Sequence, residues 1–316
     1  MYSLSEKLLA RVRKDADLSK TNWLRVGGRA EYLFKPENAK DLADFLAQLP
    51  TSIPVTVLGV GSNIIVRDGG IDGVVVKLGR GFVECMVLDN HDSGLMTISM
   101  GAGALDINVS LFAAENEIAG LEFLSGIPGT IGGAVRMNAG AYGRDISQVL
   151  VEAEIVERSG VIRRLSSAEL GFVYRNSKLP EGAIVTSAVL RGEAGDKIEI
   201  ADRIEEISRK REETQPIRTR TGGSTFKNPD GHKAWELVDR AGCRGLTIGG
   251  AQMSQLHCNF MINTGNATAS DLENLGEEVI KRVFEKTGIM LEWEIKRIGN
   301  CHPAGCIAPA QDLSVS

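Results

Sequence analysis

Residues 125–133 read Ser-Gly-Ile-Pro-Gly-Thr-Ile-Gly-Gly, and this run is the longest glycine cluster of a glycine-rich chain. The chain has 36 glycines among 316 residues, which is a larger share than the roughly 7% of an average protein. These glycines show no period of three, and they stand between runs typical of strands, which excludes a collagen-like chain. Tight turns and close approach of the backbone to a ligand explain them better.

Two shorter clusters precede this run, Gly59-Val60-Gly61-Ser62-Asn63 and Gly101-Ala102-Gly103. Successive backbone N–H groups without a Cβ can point at one anion, and neutral side chains can add hydrogen bonds. The neutral side chains near the glycines are those of Ser62, Asn63, Ser125 and Thr130. A single cluster is more often a plain turn, but three together favour a site for a diphosphate cofactor. None completes G-x-G-x-x-G, and no Gly-Lys dipeptide is present, which excludes Rossmann and P-loop sites.

The predicted elements are mixed, and they divide into three regions and a tail. Residues 1–78 alternate helix and strand, and Leu42, Phe45, Leu46 and Leu49 lie on one face of a helix predicted there. Residues 79–197 are rich in predicted strands, at residues 95–100, 149–156 and 183–190, with glycine loops between them. A charged helix opens the third region, residues 198–299. Residues 300–316 lack periodicity, and we expect them to be disordered. The fold class is therefore α+β, with a mixed α/β beginning.

The third region carries the best-defined helix. Ser270-x-x-Glu273 is a capping box that predicts its start, and Gly288 predicts its end. Its predicted inner face carries Leu272, Leu275, Val279 and Val283. Residues 290–298 then alternate as a strand would, with Glu292 and Glu294 on the same face. The alternation does not distinguish between these two glutamates.

Bulk properties exclude several classes of protein. The net charge of −5 and the pI near 5.6 provide no broad basic surface, so we expect no nucleic acid partner. The first thirty residues are interspersed with charges and lack the apolar core of a signal peptide. The most apolar stretch, residues 123–135, is too short and too interrupted to span a membrane. We therefore expect a cytoplasmic protein without membrane association.

The five cysteines include no C-x-x-C pair, which suits free thiols in a reducing compartment. Their spacings match no standard zinc site, so we predict no metal.

Three short strings carry reactive side chains: Tyr174-Arg175-Asn176-Ser177, residues 222–229 and residues 294–299. The second reads Gly-Gly-Ser-Thr-Phe-Lys-Asn-Pro, and it suits an anionic ligand as well as it suits a solvated loop. Ser224 is not in a G-x-S-x-G motif, so a hydrolase nucleophile is not indicated.

Seven strings in order, spanning about residues 21–299, resemble the UDP-N-acetylenolpyruvoylglucosamine reductase family. They are TNWLRVGGRAEY, LGVGSNIIVRD, GLEFLSGIPGTIGGAVRMNAGAYG, YRNSKL, GGSTFKNP, AWELVDRAGCRG and EIKRIG. The resemblance implies a two-part FAD-binding domain of the PCMH or vanillyl-alcohol-oxidase type, and a smaller C-terminal α+β domain that binds substrate. The length of the chain is similar to the shorter, type II form of the family.

The resemblance also implies the site residues. The catalytic set would be Arg175, Ser224 as proton donor and Glu294, with Lys227 and Asn228 contacting the UDP-sugar. The FAD-binding set would be Gly59, Gly61, Ser62, Asn63, Ser125, Gly126, Gly129, Thr130, Gly132, Gly133, Asn138, Ala139, Gly140 and Tyr142. We expect FAD to be held noncovalently, because the glycine loops contain no histidine. NADPH would be the hydride donor, and a monomer is expected.

Two other functions fit parts of the chain. One is a flavin oxidoreductase of the same FAD-binding type that acts on a hydroxy acid or a sugar lactone. The other is a catalytically silent binding module that kept the flavin fold. The strings around Ser224 and Glu294 favour the reductase over the first of these.

Overall fold

The computed structural model of the chain describes residues 4–90 and 94–301. The predicted disordered tail, residues 300–316, therefore lies almost wholly outside the described residues. Contacts divide the chain into two compact units. Of the described residues, unit 1 comprises those within 4–13, 33–59 and 73–211, and unit 2 comprises 14–32, 60–72 and 212–301. The division of the sequence at residues 78 and 197 stays a prediction.

The α-helices are numbered in chain order. They are α1 (Glu6–Leu9), α2 (Ala39–Gln48), α3 (Asp106–Glu115), α4 (Ile131–Met137), α5 (Lys197–Thr214), α6 (Ala234–Arg240) and α7 (Ala269–Thr287). Short 3-10 turns occur at Ser19–Thr21, Arg80–Phe82, Glu122–Gly126 and Ile146–Gln148. Over residues 4–90 and 94–301, none of the helices combines the length and the apolar character needed to cross a membrane.

The strands are short, and most belong to antiparallel pairs. They are β1 (Arg13–Asp17), β2 (Arg29–Phe34), β3 (Val55–Leu58), β4 (Ile64–Val66), β5 (Ile71–Lys77), β6 (Cys85–Asn90), β7 (Leu95–Gly101), β8 (Ile118–Ala119), β9 (Gly140–Ala141), β10 (Arg144–Asp145), β11 (Leu150–Val156), β12 (Ile162–Ser166), β13 (Ile184–Ala194), β14 (Arg220–Thr221), β15 (Thr247–Ile248), β16 (Ala251–Met253), β17 (Met261–Asn263) and β18 (Lys296–Ile298). Together with the helices they confirm the predicted α+β class.

Unit 1 is built on an antiparallel sheet with the order β12-β11-β13-β7-β6, and β8 also pairs with β13. The apolar runs that predict strands at residues 95–100, 149–156 and 183–190 form β7, β11 and β13. Their inward side chains pack with those of α3 and α4 in one hydrophobic core.

A second sheet has the order β1-β2-β5-β3, and its β3 and β5 run parallel.

The predicted helix with apolar residues on one face is α2. It begins after Asn38, whose side chain accepts a hydrogen bond of 2.9 Å from Asp41 N. Leu42 and Phe45 on its inner face are fully buried, and the Phe45 ring stacks on Phe34 at 3.9 Å between centroids. Amphipathic spacing thus predicted this element correctly.

Unit 2 has a sheet of order β14-β17-β16-β15 and a parallel pair, β4 with β18. Helix α7 covers a hydrophobic core that it shares with α6 and residues of both sets of strands. The predicted inner face of α7 is buried at Leu272, Leu275, Val279 and Val283.

The predicted capping box of α7 was wrong by two residues. The N-cap is Thr268, which forms the box with Asp271. Ser270 and Glu273 instead serve tertiary contacts: Ser270 Oγ donates to Asp68 at 2.8 Å, and Glu273 pairs with Arg67 at 3.0 Å. Both patterns satisfy the capping spacing, and only the tertiary partners decide between them.

The strand predicted at residues 290–298 is also shorter than expected, because β18 is confined to Lys296–Ile298. Before it, Trp293 forms a single bridge with Phe226 and packs against Gly276 of α7. The indole of Trp293 donates to Glu277 at 3.0 Å. Packing of this one large side chain therefore takes priority over a continuous ladder.

Cys85, Cys243 and Cys258 are free thiols, whereas Cys301 is disulfide-bonded. The prediction of free thiols was therefore wrong for Cys301.

Candidate functional site

Residues 125–133, predicted from the sequence to bind a cofactor and called the cofactor loop here, include the first turn of α4 in unit 1. Gly132 N donates to Ala102 O at 2.8 Å, which ties the loop to the second glycine cluster. A Cβ on Gly59, from the first cluster, would lie 2.8 Å from Thr130 Oγ1. Residues of all three predicted glycine clusters thus meet in unit 1.

Glycine is required inside this loop by its neighbours. A Cβ on Gly126 would lie 2.6 Å from the ring of Tyr142, and one on Gly129 would lie 2.7 Å from Asp106 Oδ2. Gly133 has more room, since the nearest atom would be 3.8 Å away. The loop therefore presents backbone and small side chains where larger ones do not fit, and this suits a diphosphate group.

Asn138 ends α4 in the left-handed conformation, with φ of 42°. Its amide nitrogen donates to Val173 O at 3.2 Å, and its oxygen accepts from Ser147 N at 3.0 Å. The side chain thus connects the end of α4 to the turn that follows Val173.

That turn carries Arg175, and its ends pair as a bridge between Val173 and Asn176. Arg175 has φ of 56°, a conformation that costs a non-glycine residue roughly 1–3 kcal/mol. Its Nη1 donates to Gly140 O at 3.1 Å. The turn therefore holds a half-buried guanidinium against the 138–142 segment.

Arg211 of α5 is a residue of this region that the sequence analysis missed. Its Nη1 donates to Ser125 O at 3.3 Å, and Tyr142 Oη donates to Ile207 O at 3.5 Å on the same helix. Burial lowers the pKa of Arg211 and raises the pKa of Tyr142. The helical spacing of α5 predicts an amphipathic helix, and nothing in it indicates which arginine reaches the loop.

In unit 2, Ser62 and Asn63 contact the second and third of the three reactive strings, residues 222–229 and 294–299. Ser62 O accepts from Gly223 N at 3.0 Å. Asn63 O accepts from Lys296 N at 3.1 Å, and Asn63 Nδ2 donates to Glu294 O at 3.4 Å. Segments that are more than 150 residues apart in sequence thus form one cluster.

Ser224 and Glu294 belong to the same cluster. The residue after Ser224, Thr225, accepts a hydrogen bond from Glu294 N at 2.8 Å, and the bridge of Phe226 to Trp293 extends this contact. Both Ser224 and Glu294 are half-buried. A hydroxyl and a carboxylate are therefore held on adjacent backbone segments.

The structure also separates the two candidate glutamates. Glu292 is engaged in an ion pair with Lys227, at 2.9 Å between Nζ and Oε2, and its side chain is exposed. Glu294 is less exposed and lies beside Asn63 and the Ser224 loop. Asn228 Oδ1 accepts from Ala234 N at 2.9 Å at the start of α6.

The predicted site residues are distributed over both units. Unit 1 contains Arg175, Gly59 and the cofactor-loop and 138–142 residues. Unit 2 contains Gly61, Ser62, Asn63, Ser224, Lys227, Asn228 and Glu294.

Residues 30–166 match the family model of an FAD-binding domain, and this range includes all three glycine clusters. The glycine loops therefore belong to a protein of the FAD-binding class. Residues 215–298 match the model of the UDP-N-acetylenolpyruvoylglucosamine reductase C-terminal domain. The chain is 54% identical to the UDP-N-acetylenolpyruvoylglucosamine reductase of Paramagnetospirillum magneticum over 293 residues, covering 93% of this chain and 94% of the relative. It is 55% identical to that of Gluconobacter oxydans, covering 92% and 94%. The chain belongs to the UDP-N-acetylenolpyruvoylglucosamine reductase family.

A solved structure agrees with this assignment. The crystal structure of the reductase from Thermus caldophilus aligns with a TM-score of 0.77 at 36% identity. The alignment covers 91% of this chain and 98% of that chain. The two-part plan of an FAD-binding domain followed by a C-terminal domain is therefore that of the family.

Proposed function

We propose that this chain reduces UDP-N-acetylglucosamine enolpyruvate to UDP-N-acetylmuramate, in the synthesis of peptidoglycan precursors. FAD is its noncovalent cofactor and NADPH its hydride donor. Family membership over more than nine-tenths of the chain supports the reaction. The hydrogen bond from Glu294 N to the carbonyl oxygen of Thr225, the residue after Ser224, is the structural observation that supports the proposed site.

When bound, FAD supplies the hydride chemistry, from NADPH to the methylene carbon of the enolpyruvyl group. The cofactor loop and the residues Gly59, Gly61, Ser62 and Asn63 would bind it through backbone N–H groups and small side chains. The segment Asn138–Tyr142 would lie close to the flavin or its diphosphate. Because the loops contain no histidine, no residue there offers the usual covalent link.

Arg175 binds the carboxylate of the enolpyruvyl group and stabilises the negative charge that develops next to it. Ser224 holds the proton that the adjacent carbon receives. A serine is a weak acid, but it needs only to donate to a carbanion-like centre within hydrogen-bond reach. Glu294 assists in positioning that proton, and Lys227 and Asn228 contact the UDP-sugar.

The test is an NADPH oxidation assay on the purified flavoprotein, with and without the UDP-sugar enolpyruvate. We expect rapid oxidation only with the UDP-sugar, and a product heavier than the substrate by two hydrogens. Oxidation that instead depends on a hydroxy acid or a sugar lactone would support the other flavin oxidoreductase. Bound FAD that NADPH never reduces would support the silent module.

The expected setting is that of a monomeric cytoplasmic enzyme of the type II form, acting on small molecules and not on nucleic acid. Sedimentation at micromolar concentration tests the monomer, which should have the 34.0 kDa of one chain.

A further inference from the structure

Asp106 is the first residue of α3, and its carboxyl group is fully buried in unit 1. Neither of its oxygens has a hydrogen-bond partner among the described residues. A buried polar group without a partner destabilises the folded protein. Such groups are uncommon in folded proteins, and they concentrate where function overrides stability.

The surroundings of Asp106 favour the neutral form of its carboxyl group. Burial raises the pKa of its carboxyl well above the usual value, and no charged neighbour opposes this effect. A neutral carboxylic acid has one O–H donor, whereas a carboxylate has none. This matters beside a phosphate site, because a buried anion there would repel the ligand.

The position of Asp106 connects it to the cofactor loop. Its backbone N donates to Gly129 O at 3.2 Å, and the preceding Leu105 bridges to Thr130. A Cβ at Gly129 would lie 2.7 Å from Asp106 Oδ2, so the acid lies directly against the loop backbone. Because Gly129 is partly exposed and Asp106 is not, the acid lies on the interior side of the loop.

We propose that Asp106 is a positioning residue for FAD: its neutral acid is kept to hold the Gly129 end of the cofactor loop in the form that receives the diphosphate. On binding of the diphosphate, the O–H would donate to a loop carbonyl, which supplies the partner that the carboxyl lacks, and this would orient the neighbouring N–H groups toward the phosphates. Asp106 therefore contributes to cofactor affinity and not to the stability of the fold.

Two substitutions that keep the same number of side-chain heavy atoms separate these roles. Asp106→Asn keeps a neutral donor, and Asp106→Leu removes it while filling the space. Each full-length variant is stripped of flavin, its unfolding midpoint is measured by circular dichroism, and FAD is titrated back while quenching of flavin fluorescence is followed. We expect the FAD dissociation constant to rise about tenfold or more for Asp106→Leu, as for loss of one strong hydrogen bond. For Asp106→Asn it should stay within about threefold of wild type.

The unfolding midpoint of flavin-free Asp106→Leu should equal or exceed that of wild type, because the substitution removes a buried polar group. Ser110→Ala, at a buried polar residue one turn further along α3, is the matched control and should leave FAD affinity unchanged. Wild-type affinity in Asp106→Leu would overturn the proposal. A lowered midpoint in Asp106→Leu that accounts for its loss of FAD would also overturn it, since the role would then be structural. Equal losses of affinity in Asp106→Asn and Asp106→Leu would overturn it too, because the neutral donor would not be the active form.

Discussion

Ser224 tests the chemistry at the scale of one hydroxyl. In Ser224→Ala we expect NADPH to reduce the bound flavin at the wild-type rate, because the proton donor acts only on the UDP-sugar. Turnover of the UDP-sugar should fall by about 10²–10⁴, the usual loss when general acid catalysis is removed. Stopped-flow measurement of the two half-reactions gives both rates.

The neighbouring hydroxyl provides a matched control. Thr225 Oγ1 is buried without a hydrogen-bond partner in the described part of the chain, so Thr225→Val keeps the shape of the loop and removes a hydroxyl that bonds to nothing there. We expect both half-reactions to stay near wild type. If Ser224→Ala slowed both half-reactions equally, the serine would not be the proton donor.

The role of the Arg175 guanidinium can be tested in the same way. In Arg175→Lys we expect turnover to stay far below wild type, because an ammonium cannot reproduce a planar bidentate contact with a carboxylate. Arg163→Lys, at an exposed ion pair with Glu157 in the same unit, should behave as wild type. Steady-state kinetics with the UDP-sugar measures both. Near-normal turnover of Arg175→Lys would contradict the assigned role.

At this scale the sequence predicted residue types better than partners. The match to Glu-Ile-Lys-Arg-Ile-Gly selected Glu294. The ion pair of Glu292 with Lys227 gives a physical reason to prefer Glu294 over Glu292. Arg211 and Asp106 were missed, because an arginine on a charged helix and an aspartate at a helix start are ordinary in sequence. Only the fold shows that one reaches Ser125 and that the other is buried.

Among elements, the cofactor loop offers a paired test. In Gly129→Ala the new methyl group would meet Asp106 Oδ2 at 2.7 Å, so the loop or the buried Asp106 carboxyl must shift. In Gly133→Ala the nearest atom would be 3.8 Å away, which is an ordinary contact. We expect Gly129→Ala to weaken FAD binding at least tenfold, about 1.4 kcal/mol, and Gly133→Ala to bind FAD within about threefold of wild type. Flavin fluorescence titration measures both, and equal affinities would show that the loop is not held by this contact.

The start of α7 gives an element-scale prediction of stability. Thr268→Ala removes the side chain that accepts from Asp271 N at 3.0 Å. The free energy of unfolding should fall by about 1 kcal/mol, the usual value of an N-cap. Urea unfolding measures it, and the same loss in Ser270→Ala with none in Thr268→Ala would restore the box expected from the sequence.

Elements with a strong local signal were predictable, and those decided by tertiary contact were not. The apolar face of α2 and the runs that form β7, β11 and β13 follow from periodicity. The start of α7 depends on Asp68, which contacts Ser270 from elsewhere in the chain. The length of β18 depends on Trp293, whose bridge to Phe226 interrupts the ladder. Periodicity carries no information about either.

For the whole molecule, the sequence order does not reproduce the units. Val60–Asp72 and Lys14–Tyr32 group with the C-terminal residues in unit 2, although they lie within the predicted N-terminal region. This is why Ser62 and Asn63 meet the strings of Ser224 and Glu294. Composition does not reveal that a unit is assembled from segments separated in sequence. Only the ordered family motifs predicted that these distant strings act together.

The central claim is that one flavin site passes hydride from NADPH to a UDP-sugar enolpyruvate. The most direct measurement is an anaerobic absorption titration of the purified flavoprotein, first with NADPH and then with the UDP-sugar. We predict that the oxidised flavin band disappears with one equivalent of NADPH and returns with one equivalent of the UDP-sugar. A flavin that NADPH bleaches but that the UDP-sugar never reoxidises would contradict the account.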